Sequence, residues 1–330
     1  MIVRLLDVYP KMGRGPNSVC RYFFSHNDAF AGRLSNCQQI SYVMIEVAGR
    51  KKVSIRLQST IRKLSESSVC FFRKKDFRML TQQEVQRYRD EGYVTPDFRL
   101  SESVLEDIKQ AHQRLLHRHP EFSDYCSAVL AFDTWFLNIA RIPEILDMVG
   151  QVIGNDIALW NSSFFAKPAR VGTKTPWHQD GEYWPIEPLA TCTVWIAVDA
   201  STTENGCLRV IPGSHKNQRL AKHNKSDEEN IALDLELDQN EFEASEAVDI
   251  VLEPGQISLH DVYLYHGSEP NRSDHPRRAM TLRYMPTTSI YCHDQPTRFE
   301  RQGLLVMSER TVFLMRGTDR SGKNSFRIRH

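Results

Sequence analysis

No stretch of this 330-residue sequence approaches 18 consecutive apolar residues. The longest strictly apolar run in its middle is Val194–Val198, so no segment reads as a membrane-spanning helix. Charge of one sign is not in excess either: 42 Lys and Arg face 41 Asp and Glu, a net of +1, which argues against nucleic acid or an anionic membrane as partner. Cysteine is sparse. The seven cysteines are odd in number, widely spaced and form no C-x-x-C, which excludes a disulfide framework or a zinc ribbon and fits reduced thiols in a cytoplasmic protein. Arg4 and Asp7 interrupt any apolar h-region, so no secretory signal is read, and no internal repeat is found. What is there is ordinary for a globular chain: 41% hydrophobic and 25% charged residues. A small-molecule partner and a monomer or homodimer are the expectation.

The even balance hides an asymmetry. Residues 1–78 carry 15 basic and 5 acidic side chains without clean periodicity, whereas the remainder carries 27 basic and 36 acidic. The first block is read as a basic N-terminal extension, poorly ordered or outside the fold, with Met79 as a candidate natural start; a basic arm or transit peptide is the rival, and residues 40–57 have room for a strand or two. The rest, 79–330, is read as one domain. Thr81-Gln-Gln-Glu84 is a capping box opening a helix that stops near Gly92. Ser103 precedes a second helix with Val104, Leu105, Ile108, Ala111, Leu115 and Leu116 on one face, and Pro143 and Gly154 frame a third. After this helical front (79–155) the pattern becomes strand-like. Residues 191–198 are rich in β-branched and aromatic side chains, Asn205-Gly206 and Pro254-Gly255 are turns, and strands are expected at 207–211, 256–259, 262–266 and 277–285. Many short strands behind a helical front predict a mainly β fold with flanking helices, a sandwich or jelly roll, with its core at about 156–290.

The chemistry gathers around His178-Gln-Asp180. On an extended chain, positions i and i+2 share a face, so an imidazole and a carboxylate are presented together, two thirds of a facial triad that holds Fe(II) and leaves three positions open. His266 in Leu264-Tyr-His-Gly-Ser268 is the candidate third ligand, and Arg277 follows it by eleven residues. A guanidinium fork there suits the far carboxylate of a dicarboxylate whose other end chelates the metal. His260 is a rival ligand, His215 is expected to bond a neighbouring loop, His275 to be solvated, and Arg278 to face away from Arg277.

Four blocks, W-H-Q-D-G-x-Y-W-P at 177–185, W-I-A-V-D at 195–199, E-N-G-C-L-R-V-I-P-G-S-H-K at 204–216 and H-G-S-x-P-N-R-S-x-x-P-R-R-A at 266–279, resemble the phytanoyl-CoA dioxygenase family of Fe(II)/2-oxoglutarate oxygenases. The resemblance spans roughly 79–290; nothing in residues 1–78 shares it. It implies a double-stranded β-helix, or jelly-roll, core of the cupin kind and a hydroxylase using Fe(II), 2-oxoglutarate and O2, with release of succinate and CO2. By the same resemblance His178, Asp180 and His266 match the iron ligands, Arg277 the 2-oxoglutarate arginine, Ser268 its helper, and Trp195 and Ser163 further co-substrate contacts. Trp195 is also open to plain core packing. A carboxylate at 180 leaves no vacancy for a halide, so hydroxylation rather than halogenation is implied. A metal-binding scaffold and a zinc hydrolase on the same triad are the alternatives, and Arg277 argues against the second.

The segment 216–249 falls where the family carries a lid. From Asp227 to Asp249 it holds ten acidic residues and no Lys or Arg. It is read either as a solvated loop or as a lid that repels a polyanionic acyl-CoA and favours a small neutral or cationic metabolite, with Tyr183 and Trp184 as pocket walls.

Overall fold

A computed structural model describes residues 43–47, 50–54, 79–226, 231–294 and 309–329. The chain divides into two units, Met1–Arg73 and Lys74–His330. In the first, β1 (Val43–Val47) and β2 (Arg50–Ser54) form an antiparallel hairpin, within the stretch expected to hold strands. The other residues of that extension, and with them the expectation of poor order, lie outside the described residues.

The second unit opens on helix Gln82–Glu91. Thr81 accepts from the Glu84 amide while the Glu84 carboxylate accepts from the Thr81 amide, and Gly92 ends the helix at φ 83°. The next helix is Glu102–Arg118, capped by Ser101 rather than Ser103 because the chain is still extended at 101 (φ −68°, ψ 154°) and already helical beyond it. The third is Pro143–Ile153, framed by Pro143 and Gly154 as expected.

The strands follow in chain order: β3 (Tyr93–Val94), β4 (Tyr125–Cys126), β5 (Ile157–Phe165), β6 (Thr175–His178), β7 (Ile186–Glu187), β8 (Cys192–Ala197), β9 (Leu208–Val210), β10 (His223–Lys225), β11 (Leu235–Leu237), β12 (Val248–Ile250), β13 (Ile257–Asp261), β14 (His266–Ser268), β15 (Ala279–Pro286), β16 (Ile290–Tyr291) and β17 (Phe313–Arg316). One sheet runs β17-β5-β15-β8-β13-β3, with β4 also on β5; a second runs β12-β9-β14-β6, all antiparallel. This is the mainly β, jelly-roll architecture with flanking helices. Three strands of the large sheet fall outside the expected core: β3 and β4, contributed by the helical front, and β17. The strand expected at 262–266 is instead a turn leading into β14, because Tyr263 and Leu264 bond back to Asp261.

Strand alternation divides the large sheet. Cys192, Val194, Ile196, Ile257, Leu259, Met280, Leu282 and Tyr284 are buried in one apolar core with Leu105, Ile108, Leu115, Ile145 and Met148 of the helices. The opposite face looks into the roll. Its cross-strand register aligns His260, Thr193, Arg283 and Asn161 in one row, and Ser258, Trp195, Thr281 and Ser163 in the next. A bulge at Trp160 of β5 keeps the second half of that strand in step with β15.

The segment 216–249 has more order than its sequence suggests: β10 pairs β11, and β12 joins the small sheet. Leu237 and Phe242 cover Trp177 on the outer face of that sheet, with the Trp177 and Phe242 rings 5.2 Å apart.

Candidate metal centre and adjoining cavities

His178 ends β6, Gln179 is extended, and Asp180 starts a short turn, so His178 and Asp180 point the same way while Gln179 points opposite. Gln179 is fully buried. Its amide donates to the carbonyls of Arg219 and Tyr263 and its oxygen accepts from the Ala221 amide, which pins the loops around the motif. His266 lies directly across from His178 in the β6–β14 ladder, with ring centroids 4.1 Å apart. One ligand atom from each of His178, Asp180 and His266 falls within 4.8 Å of the others.

The donors are oriented for a cation. Nδ1 of His178 lies 2.8 Å from the Pro176 carbonyl and Nδ1 of His266 lies 2.9 Å from the Leu264 carbonyl; each carbonyl can only accept, so the proton sits on Nδ1. That leaves both Nε2 lone pairs facing Asp180 Oδ1, at 3.8 and 3.9 Å. The other carboxylate oxygen, Oδ2, accepts from Thr193 Oγ1 at 3.1 Å. Burial pulls the His178 pKa down to about 4 against Asp180, and burial with His178 beside it lowers that of His266, so both imidazoles are neutral at neutral pH. Burial opposes charge on Asp180, but Arg283, His260 and His266 outweigh it and hold the carboxyl well below its usual range. Two neutral imidazoles and one carboxylate form a donor set that fits a divalent transition metal.

His260 belongs to β13 of the large sheet, not to the strand of His266, so the two do not share a strand face. Its Nε2 stands 3.6 Å from Asp180 Oδ2, just beyond hydrogen-bond length, and it lies outside the three-residue ligand set.

A cavity with about 400 Å³ of unfilled space opens from the triad and is lined at its other residues by Trp195, Ser268, Arg277 and Thr281. Arg277 is buried (1% exposed), with its guanidinium 5.4 Å over the Trp195 ring, NH1 donating to the Phe165 carbonyl and Nε without a partner. Burial lowers its pKa to about 10, which leaves it charged. Trp195 serves both readings, lining the cavity and packing with Leu208, Val210 and Leu264. Ser163 lies outside this cavity. Its hydroxyl donates to the Ser127 carbonyl and accepts from Arg283 and Asn161. Arg278 turns away and forms a two-point pair with Asp199, His215 bonds the Arg89 carbonyl, and His275 is exposed, as expected for each.

Lys167, not singled out by the sequence, is buried and donates to the carbonyls of Thr173, Ser268 and Glu269, fixing the two loops that flank Arg277. Thr193, Thr281 and Arg283 were also missed. Counting in steps of two from Trp195 and Arg277 would have found all three, since they share the inward face.

The second cavity meets the triad from the other side and is lined by Tyr125, Asn161, Tyr183, Trp184, Arg283 and Arg310, with Ala232–Asp234 of the acidic segment on one wall. Tyr183 and Trp184 thus stand where a pocket wall was expected. Four of the ten acids of that segment pair with bases nearby: Glu236 with Lys174, Asp238 with Lys222, Glu241 with Arg219 and Asp249 with Arg209, at 2.8–3.1 Å. The charge of those four is compensated locally, while Asp234 lines the second cavity. Cys126, Cys192, Cys207 and Cys292 are free thiols. Among the described residues no helix is long and apolar enough to cross a membrane.

The fold and the triad define a class, the jelly-roll proteins with a His-x-Asp…His site. Comparison with known proteins gives the family: the sequence model of phytanoyl-CoA dioxygenase (PhyH) matches residues 73–279, and the chain belongs to that family. A probable phytanoyl-CoA dioxygenase of Caenorhabditis elegans is 28% identical over 194 residues, 55% of this chain and 60% of that protein. A probable alpha-ketoglutarate-dependent hypophosphite dioxygenase of Stutzerimonas stutzeri is 27% identical over 177 residues, 53% of this chain and 62% of that protein. This chain therefore spans about three fifths of the length of either relative. The non-heme monooxygenase ThoJ superposes with a TM-score of 0.57 at 26% identity, covering 74% of this chain and 87% of ThoJ.

Proposed function

We propose that this chain is a non-haem Fe(II)- and 2-oxoglutarate-dependent dioxygenase that hydroxylates a small molecule. The single observation that carries the reading is one cavity holding both a His-Asp-His donor set and a buried, charged arginine with an unpartnered nitrogen. A metal-binding scaffold has no use for that arginine, and neither has a zinc hydrolase.

His178, Asp180 and His266 would hold the metal, their orientation fixed by the Pro176 and Leu264 carbonyls and by Thr193. Arg277, Ser268 and Trp195 would hold the far carboxylate of 2-oxoglutarate, Arg277 by charge-assisted hydrogen bonds and Trp195 as the wall beneath it. Bound Fe(II) with 2-oxoglutarate supplies the oxidising chemistry, using O2 and releasing succinate and CO2. The protein's part is to orient both partners and exclude water: every residue of the donor set is at least 95% buried.

Anaerobic titration with Fe(II) and 2-oxoglutarate tests this. A visible charge-transfer band that requires both components and is lost in Arg277→Ala is the expected result. Metal binding without such a band would refute the assignment of the co-substrate.

A further inference from the structure

Arg283 and Arg310 are 5% and 4% exposed, and Nε of each has no hydrogen-bond partner. Both line the second cavity, and burial, with repulsion from Arg283 among the smaller effects, lowers the Arg310 pKa. An arginine stays protonated in such a place, so two like charges are buried in the lining of one cavity. Arg283 lies 5.3 Å over Trp184 and Arg310 lies 5.7 Å over Trp160, so aromatic faces hold the guanidinium planes. Their hydrogen-bond partners are few: Arg283 donates to Ser163, and Arg310 donates to the Ser127 carbonyl at 3.4 Å.

Among the described residues the lining carboxylates are Asp180 and Asp234, and neither is a dedicated partner of this arginine pair. Arg283 comes within 3.9 Å of Asp180 Oδ1, but that is the oxygen facing both imidazole Nε2 atoms. Asp234, the other lining carboxylate, pairs with neither arginine among the described residues. Arg283 lines both cavities. With a divalent metal on Asp180 and a dicarboxylate on Arg277, the formal charges of Asp180, Asp234, Arg277, Arg283 and Arg310 leave one positive charge over among the described lining residues, beside the reacting centre. Buried charge of this kind calls for a counter-ion, and the space next to it is open.

We propose that this second cavity is the primary-substrate pocket and that Arg283 and Arg310 recognise an oxyanion on the substrate, a carboxylate or a phosphate-type group. The proposal rests on the preceding reading only in naming the anion a substrate. It differs from the expectation of a neutral or cationic metabolite, which rested on the acidic segment, four of whose acids pair with bases.

The test is calorimetric titration of the full chain with inorganic phosphate, butyrate and butyramide, without metal or 2-oxoglutarate. At least one anion should bind while butyramide does not, and the preferred anion identifies the group. Arg283→Gln and Arg310→Gln should each weaken that binding tenfold or more, whereas Arg277→Gln should leave it within about twofold. Arg283→Lys, which keeps the charge, should recover part of the loss, so that a folding defect is told from a charge effect. Equal binding of butyramide, binding of neither anion, or loss in Arg277→Gln alone would overturn the proposal. Because no metal or co-substrate is present, failure here leaves the Fe(II)/2-oxoglutarate reading intact, and absence of the visible band leaves this one intact.

Discussion

Residues 192, 194 and 196 of β8 and 280, 282 and 284 of β15 pack under the helices, while 193 and 195, 281 and 283 face the cavities. The same strands therefore carry two chemistries at alternate positions. The helix side is a continuous apolar core whose members are interchangeable in kind. The inner side holds threonines, an aromatic, a histidine and arginines, each with a particular partner or none. A residue's neighbour in sequence predicts little about its role, and its neighbour at i+2 or across the ladder predicts much.

Substitutions on the two faces should therefore fail in different ways. The largest effect is expected at the triad: Asp180→Ala should cut succinate formation more than about 1000-fold, roughly 4 kcal/mol or more, together with Fe(II) affinity. Unchanged turnover would remove Asp180 from the ligand set. On the helix face, Leu282→Ala should cost about 2–5 kcal/mol in denaturant unfolding while leaving the 2-oxoglutarate requirement unaltered. Its neighbour Thr281→Val should do the reverse, and a similar stability loss from both would erase the distinction between the faces. Arg277→Ala should raise the 2-oxoglutarate needed for half-maximal rate about 100-fold, roughly 2.7 kcal/mol, with Fe(II) affinity within about threefold. An equal effect on both would contradict its role.

A smaller effect comes from the helix side. His112 is buried, stacked on Phe164 with centroids 4.3 Å apart, and burial, followed by Arg278, lowers its pKa to about 4. Between pH 6.5 and 4 the unfolded chain binds the proton that the folded chain refuses, so the stability it contributes is present above pH 6.5 and lost as pH falls. The loss should be on the order of 2–3 kcal/mol, and His112→Leu should flatten the acid side of the stability profile by that amount. An unchanged slope would place the titration elsewhere. The smallest effect, about 1 kcal/mol, is expected for Thr81→Ala at the exposed helix cap, with activity unaffected.

The legible parts of this protein are those set by short-range geometry. His178 and Asp180 share a face because two residues of extended chain always do, and the capping box closed as written because its partners are three residues apart. Arg277, eleven residues after His266, lies in the same cavity as the triad. The errors share the opposite property. Ser101 took the cap from Ser103 because either serine satisfies the local pattern. The three-residue strands at 223–225, 235–237 and 248–250 are too short for their alternation to stand out from an acidic loop. His260 stood as a rival ligand because the sequence between it and His266 gives no sign of the turn at 262–263 that puts them on different strands.

By itself the sequence determined the metal-binding motif, the order of helices before strands and the family, since each is written in neighbouring residues or in fixed spacings. Only the tertiary structure decided that four acids of the segment pair with Lys174, Arg209, Arg219 and Lys222. It alone brought Arg310 to Arg283 across a sequence separation with no periodicity to announce it. The reason is physical: which charges meet depends on how two sheets close around a cavity, and closure is a property of the packed whole.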